Sequence, residues 1–147
     1  QQTLAPLVNA HRPPPVILEG LREVDFGAWT GLSWDQVQER FGVSAFDWLH
    51  LLDGGGIAQA EPVADFSQRV RECLDRVLAE GQGQSVAVVC HGGVIRMLLA
   101  HLLALALPRT LAFEIDYASV TIVDWRPDRV EIQLLNFTPW CPVPSAP

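Results

Sequence analysis

The chain has 147 residues, of which 49% are hydrophobic and 18% charged. This composition can bury a sizeable core in one domain, which excludes intrinsic disorder. Seventeen acidic residues outnumber ten arginines, and there is no lysine. The resulting net charge of −7 argues against a sequence-independent grip on nucleic acid. The apolar runs are shorter than the ~20 residues of a membrane-spanning helix, so no membrane partner is expected either.

The cysteine pattern bounds the compartment and the metal chemistry. Cys73, Cys90 and Cys141 form no C-x-x-C pair and leave an odd one over. This argues against a disulfide framework and against a structural zinc site. We therefore expect a cytoplasmic protein with no metal site.

The first part of the chain predicts a structured loop between regular elements. Apolar residues at helical spacing indicate the end of a helix in 1–10, and the apolar run 15–18 predicts a short strand. Segment 19–32 mixes glycines with large aromatic residues and follows neither period, as loops that line binding sites often do. Ser33 and Gln36 form a capping-box pattern that begins a helix ending near Phe41.

The central part predicts an α/β unit. A short helix is expected over 46–52, and the helical pattern over 62–80 has an apolar face and a glycine after its end. The run 85–90 is unbroken and rich in valine, as in a parallel strand that is covered on both faces. The segment His91-Gly92-Gly93 follows it and leads into a helix predicted over 94–107.

The last part predicts an antiparallel hairpin. Residues 119–125 and 129–136 alternate in polarity around a turn. Residues 138–147 are proline-rich and are expected to form a loose tail. The chain shows no internal repeat, so residues 1–147 are interpreted as a single domain.

His91, Gly92 and Gly93 are candidate anion-binding residues. Ligands of open α/β sheets bind beyond the carboxyl ends of the strands, and a helix start there presents free N–H groups. An imidazole at that place can donate a hydrogen bond to phosphate. The alternative, a histidine that caps the helix with nothing bound, is equally compatible with this pattern. Cys90 is disfavoured as a nucleophile because alternate side chains of a strand point away from each other.

Glu23 is the second candidate. It lies in a segment with Phe26 and Trp29, and a carboxyl among bulky apolar side chains suits a general acid. The alternative is that Arg22 and Glu23 form a solvated pair on a loop, and composition alone favours that interpretation.

Considered together, these segments resemble a known family. Residues 21–31 read L-R-E-V-D-F-G-A-W-T-G, and residues 88–96 read V-V-C-H-G-G-V-I-R. They are similar to the motifs L-R-E-x-x-F-G-x-W-E-G and V-S-H-G-G-x-I-R of the histidine phosphatase superfamily, the phosphoglycerate-mutase-like proteins. The resemblance is greatest to its small phosphatases of the α-ribazole-phosphate phosphatase type.

Further positions extend the resemblance over nearly the whole chain. Glu61, Asp65 and Arg69 keep the spacing of the family's G-E-S-x-x-D-x-x-x-R-V, although Ala60 and Pro62 replace its glycine and serine. Asn136 matches a common asparagine of the family's last strand.

The resemblance implies a fold and a site. The fold is α/β, with three α/β/α layers and a mostly parallel central sheet. Glu23 is the implied proton donor to the leaving oxygen, and His91 stabilises the transferring phosphoryl group. Arg22, Gly92 and Gly93 are the implied substrate-binding residues. The implied partner is a small phosphorylated metabolite, with no cofactor and no metal, and a homodimer is compatible with the chain.

The family's nucleophile, a histidine in an R-H-G motif on the first strand, has no counterpart in these 147 residues. We therefore expect the domain to be N-terminally incomplete here, with that strand upstream of Gln1 and the isolated chain inactive. The leading prediction is a phosphomonoesterase that works through a phosphohistidine. Two alternatives are a non-catalytic phosphate-binding pseudo-phosphatase and a phosphoglycerate-mutase-type phosphoryl transfer. The separation of Glu23 and His91, 68 positions, favours hydrolysis because the family's mutases carry a longer shielding insertion there. The glycine-rich stretch 53–60 is expected to cover the pocket instead.

Overall fold

A computed structural model describes residues 3–5, 8, 14–44 and 47–140. Most of the predicted helix over 1–10 and residues 141–147 of the predicted tail lie outside the described residues.

Four of the predicted helices are present among the described residues. They are α1 (Trp34–Phe41), α2 (Trp48–Asp53), α3 (Val63–Glu80) and α4 (Gly92–Leu102). At the start of α1 the Ser33 hydroxyl accepts a hydrogen bond from the Gln36 backbone N–H (3.3 Å), and the Gln36 side chain accepts one from Ser33 N–H (2.9 Å). The predicted capping box is therefore confirmed, and Gly42 ends the helix in the left-handed conformation.

The helix predicted over 94–107 is shorter than expected. α4 ends at Leu102, and a separate turn of 3₁₀ helix covers Leu107–Ala112. Pro108 stands near the start of that turn, where it lacks the N–H of an α-helix interior and disfavours a helical conformation at the residue before it. The apolar pattern continued past the point at which the backbone leaves the helix, so the predicted end was wrong.

The predicted hairpin is confirmed. Strand β1 (Val120–Arg126) pairs antiparallel with β2 (Arg129–Phe137), and Arg126 faces Arg129 across the turn. The register shifts twice near Ile122, between Val120 and Ile122 and between Ile122 and Val123.

The strands predicted over 15–18 and 85–90 are not formed among the described residues. Both segments lack regular secondary structure, and the two-stranded antiparallel hairpin is the sheet that the structure contains there. A strand needs a neighbour that satisfies its N–H and C=O groups, and no described segment pairs with 85–90. Val86, Val88 and Val89 are consequently exposed. The three-layer α/β/α arrangement with a mostly parallel sheet is therefore not confirmed.

The apolar core lies where the loop over 21–32 meets the helices. Its buried side chains come from the loop, from α1 to α4 and from the turns between them: Val24, Trp29, Val37, Trp48, Leu49, Leu52, Ile57, Phe66, Val70, Val94, Met97, Ala100 and Leu107. Val24 is 4% exposed. Its burial anchors the backbone directly beside Glu23, and this is how the core positions the candidate site.

Candidate active site

A cavity of about 2200 Å³ contains most of the predicted site residues. Glu23, His91, Gly92 and Gly93 all line it, together with other residues of the loop over 21–32, Trp34, the segment 81–90 and β1. The structure therefore brings the two motifs that the sequence singled out to one place.

Glu23 and Gly93 are in direct contact. Glu23 Oε2 accepts a hydrogen bond of 3.0 Å from the Gly93 backbone N–H, and Oε1 accepts one of 3.0 Å from the N–H of Val24. A Cβ atom at position 93 would lie 2.5 Å from Glu23 Oε1. The carboxyl can approach the helix this closely only because residue 93 is glycine.

The carboxyl of Glu23 thus lies at the N-terminus of α4. The free N–H groups and the positive end of the helix dipole favour a negative charge at this place. The sequence predicted an anion site here, and in the structure the Gly93 N–H of that site binds the carboxyl of Glu23.

His91 is the N-cap residue of α4. Its backbone is extended and its carbonyl accepts the hydrogen bond of Ile95 N–H (2.9 Å), while its side chain makes no capping hydrogen bond. The residue is exposed and lines the cavity. His91 is therefore accessible from the same cavity that Glu23 lines.

Cys90 directly precedes His91 in the chain and is poorly suited to nucleophilic attack. Burial, and after it the negative charge of Glu23, raise the pKa of its thiol to about 11, although a hydrogen bond with the backbone of His91 opposes this. The reactive form of cysteine is the thiolate, which is scarce near neutral pH at such a value. This supports the expectation that Cys90 is not the nucleophile.

Arg22 does not line the cavity. Its Nη2 lies 3.5 Å from Glu61 Oε1, and its side chain is 58% exposed. Its predicted role in substrate binding stays a prediction. The alternative of a solvated ion pair between Arg22 and Glu23 has no support, because Glu23 contacts α4 and Arg22 contacts Glu61.

The glycine-rich stretch 53–60 does not cover the cavity, contrary to our expectation. Ile57 is buried in the core, and the carbonyl of Ala58 accepts a hydrogen bond from Ala28 N–H (2.9 Å). No residue of the stretch lines the cavity within the described chain. Its hydrogen bond with Ala28 supports the loop that carries Glu23.

An aromatic cluster forms one wall of the cavity. Phe26 packs edge to face against Trp34 and Trp48, with ring centroids 6.0 and 5.3 Å apart. Trp29 packs edge to face against Trp34 at 6.4 Å. All four side chains line the cavity. Such pairs add to the stability of the loop, which carries Glu23 at its base.

Two polar contacts near the site were not predicted. Asn136 accepts a hydrogen bond from Asp116 N–H (2.7 Å) and donates one to the Asp116 carboxylate (2.8 Å). Arg96 donates to the carbonyls of Thr110 and Phe113 (2.7 Å for the latter). Asn136 and Arg96 both belong to the segments that carry the family resemblance, but their partners are distant in sequence and only the tertiary fold reveals them.

The described part of the chain contains no group of three or more His, Cys, Asp or Glu side chains arranged to hold a metal ion. None of the helices described has the length and apolar character needed to cross a bilayer.

Comparison with known proteins decides the family. The model of the histidine phosphatase superfamily (branch 1) matches residues 1–138. The chain belongs to the histidine phosphatase superfamily. The resemblance carried by the segments around Glu23 and His91 is thereby confirmed.

The chain has relatives among both curated proteins and solved structures. The chain is 32% identical over 127 residues to the bifunctional protein Rv2228c of Mycobacterium tuberculosis. The matched region covers 84% of the chain and 34% of that protein. It is 29% identical over 140 residues to the adenosylcobalamin/α-ribazole phosphatase of Escherichia coli, a match that covers 92% of the chain and 67% of that protein. The crystal structure of the α-ribazole phosphatase from Shigella flexneri superposes with a TM-score of 0.71 at 25% identity. The superposition covers 92% of this chain and 68% of the Shigella chain. The chain thus spans about a third of the length of the first relative and about two thirds of the others.

Proposed function

We propose that this histidine phosphatase is a phosphomonoesterase that hydrolyses a small phosphorylated metabolite through a phosphohistidine. The observation that carries the proposal is the hydrogen bond of 3.0 Å between Glu23 Oε2 and Gly93 N–H, which holds a carboxyl at the helix start that follows His91. Phosphoryl transfer requires a group that protonates the leaving oxygen and donors for the charged phosphoryl oxygens. Glu23, in its protonated form, supplies the first, and His91 supplies a donor for the second.

The reaction proceeds in two displacements. The nucleophilic histidine attacks phosphorus, and the ester oxygen departs with a proton from Glu23. His91 donates a hydrogen bond to an equatorial phosphoryl oxygen throughout. In the second step Glu23 takes a proton from water, the water oxygen bonds to phosphorus, and the histidine–phosphorus bond breaks to release phosphate.

The nucleophilic histidine of this proposal is one other than His91 and His101. His101 is unsuited to the role because its Nε2 lies 3.0 Å from the carbonyl of Ser67, between α3 and α4. Besides Glu23 and His91, the cavity is lined by the exposed apolar residues Val86, Val88 and Val120.

The proposal is tested by hydrolysis of p-nitrophenyl phosphate by the full-length polypeptide in the presence of EDTA. We expect turnover without added metal, an acid-labile phosphoenzyme, and a loss of about 100-fold in kcat in His91→Ala. His50→Ala is the matched control, because His50 is an exposed histidine of α2 that does not line the cavity. It should retain wild-type activity. Equal rates in wild type and His91→Ala, or strict dependence on a divalent cation, would overturn the mechanism. Binding of phosphate without any hydrolysis would establish the pseudo-phosphatase instead.

A further inference from the structure

The guanidinium of Arg69, on α3, lies beneath the loop that carries Glu23. Its Nη1 donates to the carbonyls of Gly20 (2.6 Å) and Arg22 (2.8 Å), and its Nη2 donates to the carbonyl of Glu23 (3.2 Å). Nε and Nη2 also donate to the two carboxylate oxygens of Glu61 at 2.6 and 2.7 Å. All five N–H groups that a guanidinium possesses are therefore used.

Glu61 completes the contact from the other side of Glu23. Its Oε2 accepts a hydrogen bond from Asp25 N–H (3.3 Å), and its own N–H donates to the carbonyl of Asp25 (2.9 Å). Burial alone would raise the pKa of Glu61, but the hydrogen bond and the charge of Arg69, with smaller contributions from Asp25 and Arg22, lower it below its usual value. Glu61 is therefore ionised at neutral pH and pairs with Arg69 as a carboxylate.

The loop is also in close contact with α3. A Cβ atom at Gly20 would lie 2.6 Å from Cys73 Sγ and 2.9 Å from the carbonyl oxygen of Arg69. The side chains of Arg69 and Glu61 are only 13% and 9% exposed. The pair is thus enclosed between the loop and the helix, where a bidentate ion pair is screened less than at the surface.

We propose that the Glu61–Arg69 pair is a positioning device that fixes Glu23 for proton transfer. The pair binds the backbone at residues 22, 23 and 25, so the main chain is held on both sides of Glu23. With the backbone fixed, the carboxyl reaches the N–H groups of Val24 and Gly93. Neither Glu61 nor Arg69 lines the cavity, so they act through Glu23 and not on the substrate. This inference rests on the proposed function of Glu23.

The first test compares two Arg→Lys variants of the full-length polypeptide. Lysine keeps the charge but cannot bridge the carbonyls and the carboxylate that the planar guanidinium joins. Arg69→Lys is expected to lower kcat for p-nitrophenyl phosphate by about 10- to 100-fold while KM changes less than about 3-fold. Arg76→Lys is the matched control: Arg76 pairs with Glu80 on the exposed face of the same helix at 2.8 Å and should retain wild-type kcat.

A double mutant separates positioning from general stabilisation. If Arg69 acts through Glu23, Arg69→Lys should cost less than about 3-fold in kcat when Glu23 is already glutamine. Glu61→Gln, which preserves the shape of the side chain, should show the same pattern. An unchanged kcat in Arg69→Lys, or the same fold-loss in both backgrounds, overturns the proposal.

Amide hydrogen exchange tests the device without reference to activity. In Arg69→Lys we expect the N–H groups of Val24 and Gly93 to exchange at least about 10-fold faster, while those of α1 keep their wild-type rates. No acceleration, or equal acceleration throughout the chain, overturns the proposal. Should the wild-type protein hydrolyse no phosphate ester, the proposed function fails and this exchange experiment still decides whether the pair holds Glu23.

Discussion

Glu23 and Gly93 lie 70 positions apart in the chain and share a hydrogen bond of 3.0 Å at the start of α4. The contact joins the two motifs in one cavity with His91. The contact requires glycine at position 93 but not at position 92. A Cβ atom at position 93 would overlap the carboxyl of Glu23, whereas the nearest atom to a Cβ at position 92 is Ile115 Cγ2 at 4.0 Å.

The two glycine positions should therefore respond differently to alanine. Gly93→Ala must displace the carboxyl of Glu23, so we expect a loss of about 1–3 kcal/mol in the free energy of unfolding. Gly92→Ala introduces no clash, and because alanine is the better helix former, its free energy of unfolding should be unchanged or up to ~1 kcal/mol higher. Urea denaturation of both variants checks this. Similar values for the two variants would mean that Glu23 does not occupy the space beside Gly93.

The thiol of Cys90 reports on the charge of Glu23. Because burial and Glu23 raise its pKa to about 11, only about 1% of the thiol is ionised near pH 9. Removing the charge in Glu23→Gln should lower that pKa and so accelerate alkylation of Cys90 by iodoacetamide, followed by mass spectrometry of its peptide. Asp25→Asn is the control, since its carboxylate binds Gly27 N–H and the Thr30 hydroxyl and does not act on Cys90. Equal alkylation rates in wild type and Glu23→Gln would contradict the placement of the carboxyl.

Local signals predicted those elements whose stabilising groups are close in sequence. The capping box of Ser33 and Gln36 defined the start of α1, and the apolar face of 63–80 defined α3. The strand predicted over 85–90 depends on a partner that no described residue provides. The predicted end of α4 was wrong because the apolar pattern continues past Leu102, whereas the backbone leaves the helix there and Ala104 takes a positive φ.

Part of the candidate site could also be predicted from signals that are close in sequence. The residue types of Glu23 and His91 and their flanking glycines were sufficient to single them out. The Glu61–Arg69 contacts involve backbone carbonyls 46 to 49 positions away from Arg69, and a carbonyl carries no residue-type signal. The sequence indicated Glu61 and Arg69 only through their spacing, which matches a motif of the family.

His101 should make the protein less stable in mild acid. Burial lowers the pKa of His101 below 6.5, with Arg71 lowering it further, while the hydrogen bond to the Ser67 carbonyl and the charge of Asp75 oppose this. The folded state therefore favours the neutral ring, and below about pH 6.5 the unfolded chain binds the proton more readily. As the pH falls below about 6.5, the free energy of unfolding should decrease. This decrease begins at a higher pH than the protonation of Glu61, whose pKa lies below its usual value.

His101→Gln removes this titration and should flatten the pH dependence between about pH 5 and 7. The measurement is chemical denaturation of both proteins at several pH values, with His50→Gln as an exposed control on α2. A variant whose stability declines as steeply as that of the wild type would contradict the assignment.

Arg96 should stabilise the segment that follows α4. It donates to the carbonyls of Thr110 and Phe113, and Thr110 is fully buried. Arg96→Met leaves both carbonyls without their donor, so we expect a loss of about 2 kcal/mol or more. Arg109→Met, at an exposed position in the same segment, should change stability by less than about 0.5 kcal/mol. Equal losses in thermal or urea unfolding would show that the guanidinium contacts contribute nothing specific.

The most direct test of the central claim, that Glu23 protonates the departing alcohol beside His91, is the leaving-group dependence of Glu23→Gln. In the full-length polypeptide we predict that kcat/KM for an alkyl phosphate falls by about 100-fold or more, because an alkoxide leaves poorly without a proton. For 2,4-dinitrophenyl phosphate, whose leaving group needs no proton, the loss should shrink to less than about 10-fold. The same fold-loss for both esters would contradict the account.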